Sequence, residues 1–152
     1  MKTILTMFEH MNWANQRILE SLQNVEEAEQ QVRLFTHILN AERVWATRLL
    51  GMDSSQLPIW SDGNIEVCAQ LSKQNAEKFE TFFSQLTAID LDNLITYKNS
   101  AGTVFENSIR EILIQVALHG QYHRGQINMR LRADGIEPVY MDYIIFAREV
   151  NQ

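Results

Sequence analysis

The sequence predicts an all-α protein, a four-helix bundle with long crossovers and a small hairpin-like segment before the fourth helix. Residues that break helices are scarce, because the 152-residue chain contains six glycines and two prolines, which is less than half of their usual share. Apolar residues also recur at intervals of three and four in four separate stretches, as expected for helices that bury one face. The length fits one domain over residues 1–152, and such a chain can bury a sizeable core.

The first two helices are predicted from their apolar seams. Helix one covers about residues 3–23, and a single polar residue, Asn15, interrupts its seam. Helix two extends from about residue 27 to Gly51, after a capping signal that starts at Asn24. The short link between them predicts antiparallel neighbours. The seam residues are Ile4, Phe8, Met11, Ile18 and Leu22 on helix one, and Leu34, Ile38, Ala41, Trp45 and Leu49 on helix two.

The middle of the chain predicts a loop, a third helix and a hairpin. Residues 53–64 include Pro58, Gly63 and several Ser and Asp residues, which is typical of a loop. Helix three is predicted over about 65–87. Residues 94–105 place turn residues between two short β-prone segments, so we expect a small hairpin or an extended crossover there. The inward residues of helix three are Cys68, Leu71, Phe79, Phe82 and Leu86.

Helix four opens at a capping box, in which Ser108 precedes Glu111 by three residues. It continues to about residue 132 and is closed by the Gly135 region. Its apolar stripe consists of Ile109, Leu113, Val116, Ile127 and Leu131. The remaining segment, 140–150, predicts a short fifth helix or a packed tail.

Charge and composition exclude several classes of protein. The formal net charge is −6 with no block of Lys or Arg, and this argues against a nucleic-acid partner, whose phosphates need clustered cations. No apolar run approaches the ~18 residues that span a bilayer. The single cysteine, Cys68, cannot form an internal disulfide, and the N-terminus lacks a signal-peptide pattern. We therefore expect a cytoplasmic protein, with Cys68 as a small core residue.

The histidine spacing predicts a metal site. His119 and His123 are four residues apart, so both imidazoles leave one face of helix four. His37 faces inward on helix two at a similar depth in the bundle, given the rise of ~1.5 Å per residue. Three such nitrogens suit one divalent ion, Zn²⁺, Ni²⁺ or Fe²⁺. A hydrogen-bonded core role is the alternative for a single inward histidine. His10 lies off its seam and is expected at the surface.

Two common metal motifs are absent from this histidine pattern. A zincin needs Glu directly after the first histidine, where this chain has Gly120. A di-iron carboxylate site needs Glu three residues before its histidines, and residues 34, 116 and 120 are Leu, Val and Gly. The chain is therefore predicted to hold one ion on histidines alone.

Four segments, taken in their order, resemble the DinB-like (YfiT-like) family of metalloenzymes. The resemblance covers nearly the whole chain, and the helix-four segment is its most specific part. It implies a four-helix bundle with one divalent metal held by His37, His119 and His123, and often a homodimer. The family includes bacillithiol transferases and a mycothiol-dependent isomerase. The matching segments are Asn12-Trp-Ala-Asn15, His37 to Trp45, His119 to Ile127, and Asp142-Tyr-Ile.

Three functions fit this resemblance. The first is a metal-dependent transferase that activates a small-molecule thiol, in line with the lowered pKa of a metal-bound thiol. The second is a hydrolase that uses metal-bound water on another small substrate, although Glu42, about 140° round helix two from His37, is discounted as its base. The third is a non-catalytic, stress-response bundle whose ion holds two helices together. Catalytic residues are not assigned.

Several polar residues are candidates for supporting the ligands or binding substrate. A ligating histidine usually donates its second N–H to a neighbouring acceptor, while Asn15 has bundle register as its alternative role. Trp60, in the long loop, is a candidate cover for the mouth of the bundle or for a partner surface. The five candidates are Asn12, Asn15, Gln115, Arg124 and Gln126.

Overall fold

The computed structural model describes residues 1–150. Its elements, in chain order, are α1 (Lys2–Leu22), α2 (Glu29–Leu49), α3 (Ile65–Gln85), a 3₁₀ turn (Ile89–Asp92), β1 (Leu94–Lys98), β2 (Val104–Ser108), α4 (Ile109–Ala133) and α5 (Tyr143–Val150). The predicted all-α class, the four long helices and the hairpin before helix four are confirmed. No helix within these described residues is long and apolar enough to cross a membrane.

The hairpin joins α3 to α4 through an antiparallel pair in which Leu94 faces Ser108 and Lys98 faces Val104. Its turn contains Gly102 at φ +80°, a backbone conformation that favours glycine. Ser108 then caps α4, because its side chain accepts from the Glu111 N–H and the Glu111 carboxylate accepts from the Ser108 N–H. The predicted capping box is confirmed.

The predicted capping signal of α2 is wrong. The residue before the helix is Ala28, which provides no side-chain cap, and the helix starts at Glu29. Asn24 instead serves the preceding helix, since its Nδ2 donates to the Glu20 carbonyl at 2.8 Å. A side chain of this type can bond in either direction along the chain, and here it closes α1.

Helices α1 and α2 are antiparallel, but the prediction that they are neighbours is wrong. Each packs against α3 and α4, and the two meet only weakly across the centre of the bundle. Residues 23–28 permit this arrangement, because six residues reach up to about 20 Å, whereas the diagonal of a bundle with sides of 8–10 Å is about 13 Å. A short link therefore fixes which ends are close without fixing adjacency.

The core consists of two apolar clusters with a polar layer between them. One cluster includes Phe35 and Leu131, and the other includes Phe8 and Leu113. Near the boundary of the two clusters, every long helix contributes one buried polar residue to what we call the polar layer: Asn15 on α1, Glu42 on α2, Asn75 on α3 and Arg124 on α4. Asn15 thus interrupts the seam of α1 as the sequence predicts.

His10 is buried, which overturns the surface position expected for it. Only 8% of the residue is exposed, and its Nε2 lies 2.9 Å from the Met141 carbonyl oxygen. Tyr143 and Phe146 of α5 pack against the ring. The sequence did not show that the C-terminal segment folds back over α1, and this packing covers a face that would be exposed on an isolated bundle helix.

Candidate metal centre

Three histidines converge where α2 packs against α4. One ring nitrogen of each of His37, His119 and His123 lies within 4.8 Å of the other two. The four-residue spacing on α4 places the rings of His119 and His123 on one face, edge to face, and the close packing of α2 on α4 brings His37 against them. The cluster contains no Asp or Glu.

The hydrogen bonds of two rings direct their other nitrogens toward each other. His37 Nδ1 donates to the Ile59 carbonyl at 3.0 Å, and His123 Nδ1 donates to Gln126 Oε1 at 2.7 Å. With protons on Nδ1, both Nε2 atoms carry lone pairs, and these atoms are 3.2 Å apart. Two ligands of a tetrahedral ion with bonds of 2.0–2.1 Å lie about 3.3 Å apart. The spacing therefore fits a shared cation.

Burial favours the neutral form of His37 and His119, which metal ligation requires. Removal from water lowers the pKa of His37. It also lowers the pKa of His119 to about 4, where the nearby charges of His123, His37 and Arg124 add to the effect. The ring of His119 makes no hydrogen bond within residues 1–150, which leaves its nitrogens available to a ligand.

The loop between α2 and α3 positions His37. Ile59 supplies the carbonyl acceptor described above, and the next residue, Trp60, stacks on the imidazole with ring centroids 3.7 Å apart and an interplanar angle of 4°. Trp60 is 49% exposed. Gly63 lets this loop approach α2, because a Cβ there would lie 2.7 Å from Thr36 Oγ1.

The structure separates the five candidate supporting residues. Gln126 contacts a histidine directly, through the bond to His123. Asn15 and Arg124 belong to the polar layer, where Arg124 Nε and Nη2 donate to Asn15 Oδ1 at 3.1 and 2.9 Å. Asn12 lines a groove between α1 and α3. Gln115 is exposed and makes no hydrogen bond among the described residues.

The sequence reasoning missed half of the polar layer. Glu42 accepts from Asn15 Nδ2 at 3.0 Å and from Asn75 Nδ2 at 3.3 Å, and Arg124 Nη2 lies 3.8 Å from its Oε1. Burial raises the pKa of Glu42. The missed signal was present, because Asn75 stands four residues from two core residues, Leu71 and Phe79. Glu42 is thus engaged away from the histidines, in line with its dismissal as a base.

Comparison with known proteins places this arrangement in a family. The model of the DinB family matches residues 1–151. The chain belongs to the DinB family. Within that family it is similar to Protein DinB of Bacillus subtilis (strain 168), at 24% identity over 158 aligned residues that cover 92% of this chain and 91% of that protein.

A solved structure supports the fold of this DinB-family chain. A crystal structure of a DinB-like protein from Bacillus cereus ATCC 10987 superposes with a TM-score of 0.71 at 18% identity, covering 92% of this chain and 97% of that chain. The two proteins therefore share the bundle architecture. Within it, the three histidines of this DinB-family chain could hold a metal ion.

Proposed function

We propose that this DinB-family chain is a metal-dependent, thiol-using S-transferase of the cytoplasm. The observation that carries the proposal is the donor set, three imidazoles whose ring nitrogens lie within 4.8 Å of one another with no carboxylate among them. Zn²⁺, Ni²⁺ or Fe²⁺ suits such nitrogen donors. When bound, the ion would lower the pKa of a small-molecule thiol and so raise its thiolate fraction.

The residues of the chain then contribute position more than proton transfer. His37 is held from both sides, by the Ile59 carbonyl and the Trp60 ring, and His123 is held by Gln126. In the transfer, the thiol proton leaves to solvent, sulfur forms a bond to an electrophilic carbon, and the leaving group departs with its electron pair. Trp60 would cover the reacting atoms on one side.

Hydrolysis is the second candidate, and the polar layer favours it less. A hydrolase needs a proton acceptor next to the attacking water, whereas the carboxylate of Glu42 is 2% exposed and accepts hydrogen bonds from Asn15 and Asn75. A non-catalytic bundle, in which the ion only joins α2 to α4, is the third. A homodimer remains part of the proposal, to be tested by sedimentation.

The test measures metal content and thiol conjugation on the same samples. We expect about one divalent ion per chain after purification without chelator, and conjugation of small thiols to an aryl halide. His119→Ala should lose most of the metal and the activity, while Leu118→Ala, one residue away and 58% exposed, should keep both. Chelation should abolish turnover, and adding the ion back should restore it.

Two results would contradict the proposal at different levels. Full metal content in His119→Ala would refute the site. A loaded protein that conjugates neither neutral nor anionic thiols would refute the transferase and leave the other two functions. A loaded protein that hydrolyses esters or amides would then favour the second candidate, whereas a large loss of thermal stability on chelation without any activity would favour the third.

A further inference from the structure

A groove lined by two arginines and one tryptophan is connected to the three-histidine cluster through Trp60, which stacks on His37. It lies between α2 and α4, has a volume of about 620 Å³, and is lined by Gln30, Arg33, Leu34, Trp60 and Arg130. This volume is within the range of ~300–1,000 Å³ of small-molecule sites. Its lining contains two guanidinium groups and no carboxylate.

The two arginines of the groove lie on the same helices as the three histidines. Arg33 precedes His37 by four residues and Arg130 follows His123 by seven, so each shares a helix face with a histidine. At ~1.5 Å per residue these arginines lie about 6 and 10 Å along the helices from the histidines. Both arginines are displaced from the histidines toward the same end of the bundle, because α2 and α4 are antiparallel. Gln30 of α2 contacts Arg130 of α4 at that end.

Both guanidinium groups are held over the groove without an anionic partner. The Arg33 guanidinium lies 5.9 Å from the centre of the Trp60 ring, at the outer limit of a cation–π contact. Arg130 Nη1 donates to Gln30 Oε1. The ion pairs among residues 1–150 involve Arg17, Arg110 and Arg124, so no described carboxylate neutralises Arg33 or Arg130.

Carboxylates line the neighbouring depressions and not this groove. Glu26, Glu27, Glu29 and Asp134 line a depression that shares Gln30 and Arg130 with the groove. Glu26, Glu29 and Asp62 line another, which shares Gln30 and Arg33. Asp134 is engaged in the first of these depressions, since it accepts from Gln31 Nε2 at 2.6 Å. Within the lining of the groove itself, the two charged residues are both cations, and they lie beside an aromatic ring.

We propose that Arg33 and Arg130 select a thiol substrate that carries an anionic group about 6–10 Å from its sulfur. The inference rests on the proposed function, because it assigns the sulfur to the three histidines. Guanidinium groups bind carboxylate or phosphate through paired N–H donors. Trp60 and Leu34 would contact the apolar connection between the sulfur and the anion.

The test compares two thiols that differ only in their carboxylates. Glutathione, which has two carboxylates remote from its sulfur, and its diethyl ester are titrated into the cobalt(II)-loaded protein, with the sulfur-to-cobalt absorbance as readout. We expect glutathione to bind more tightly, and added salt to weaken its binding alone. Arg33→Gln and Arg130→Gln should each raise its Kd about two- to fivefold, and the double variant about tenfold.

The matched control is Arg132→Gln, an exposed arginine of the same helix that does not line the groove. It should leave both dissociation constants unchanged, and no arginine variant should change that of the diester. Competition identifies the anion: displacement of glutathione by glutarate indicates a carboxylate site, and displacement by inorganic phosphate indicates a phosphate site. Displacement by neither anion overturns the proposal. The proposal is also overturned if the parent protein, like the double variant, binds both thiols with equal affinity.

Failure of the proposed function gives a different result. In that case neither thiol produces the absorbance band, although cobalt is bound. Calorimetry with glutarate and phosphate then tests the arginine pair directly, without sulfur. Binding that Arg33→Gln/Arg130→Gln abolishes and Arg132→Gln retains would support an anion site in a protein with another activity, and absence of binding would refute it.

Discussion

Replacing Arg124 with methionine tests whether a buried charge pair holds the polar layer together. Arg124 is 1% exposed and Glu42 is 2% exposed, and Arg124 Nη2 lies 3.8 Å from Glu42 Oε1. Asn15 bridges them, because its Oδ1 accepts two bonds from Arg124 and its Nδ2 donates to Glu42. Methionine fills a similar length without any donor, so it removes the charge and leaves Glu42 buried.

The expected cost follows from what loses its partner. Asn15 Oδ1 loses both of its donors, and an unsatisfied buried polar group costs about 1–3 kcal/mol. Removing one member of a buried ion pair costs about 3–5 kcal/mol in all, so we expect Arg124→Met to lower the free energy of unfolding by that amount. Burial already raises the pKa of Glu42, and loss of the opposing Arg124 would raise it further. The loss should therefore grow as pH rises through that pKa.

A double-mutant cycle in urea measures the pair itself. Glu42→Gln keeps the shape of the side chain and removes its charge, and the double variant Arg124→Met/Glu42→Gln removes both charges. Since each single change leaves the other charge buried without its partner, the double variant should lose about 2–3 kcal/mol less stability than the sum of the two single variants. Additive costs, within about 0.5 kcal/mol, or a loss below about 1 kcal/mol for Arg124→Met, would refute the reasoning.

Two further predictions compare neighbouring positions on α4. Gly120→Ala should destabilise the protein by about 1–3 kcal/mol, because its Cβ would lie 3.0–3.1 Å from the nitrogens of the fixed Arg124 guanidinium. Gly125→Ala has open space around it and should stabilise the protein by about 0.5–1 kcal/mol. The urea unfolding midpoints of the two variants test this, and equal effects would contradict the packing argument. Gln126→Ala should weaken metal binding about 10–100-fold, since it removes the hydrogen-bond acceptor of the His123 ring. Gln115→Ala should leave the metal Kd unchanged. The reverse order would show that the hydrogen bond does not support the site.

The sequence determined the helices and the identity of the candidate metal ligands. The apolar spacing of α1 to α4, the Ser108 capping box and the hairpin signal are local properties, so each could be read without knowing the rest of the chain. The pair His119 and His123 is likewise local, because four residues on one helix fix which face both rings share. His37 followed from its inward position on a separate helix, together with the family resemblance.

Tertiary packing decided the rest. Which helices are adjacent depends on long-range contacts that a short link does not specify, and so α1 and α2 lie across the bundle from each other. His10 is buried because α5 folds back over α1, a contact between residues more than 130 positions apart.

The polar layer and the groove lined by Arg33, Arg130 and Trp60 also result from tertiary packing. Glu42 and Arg124 become buried partners only because each of the four helices brings one polar residue to the same depth in the bundle. Arg33 and Arg130 line one groove only because α2 and α4 run in opposite directions. The local sequence determines which face of a helix a side chain occupies, whereas the tertiary fold determines which residues lie next to a charged side chain.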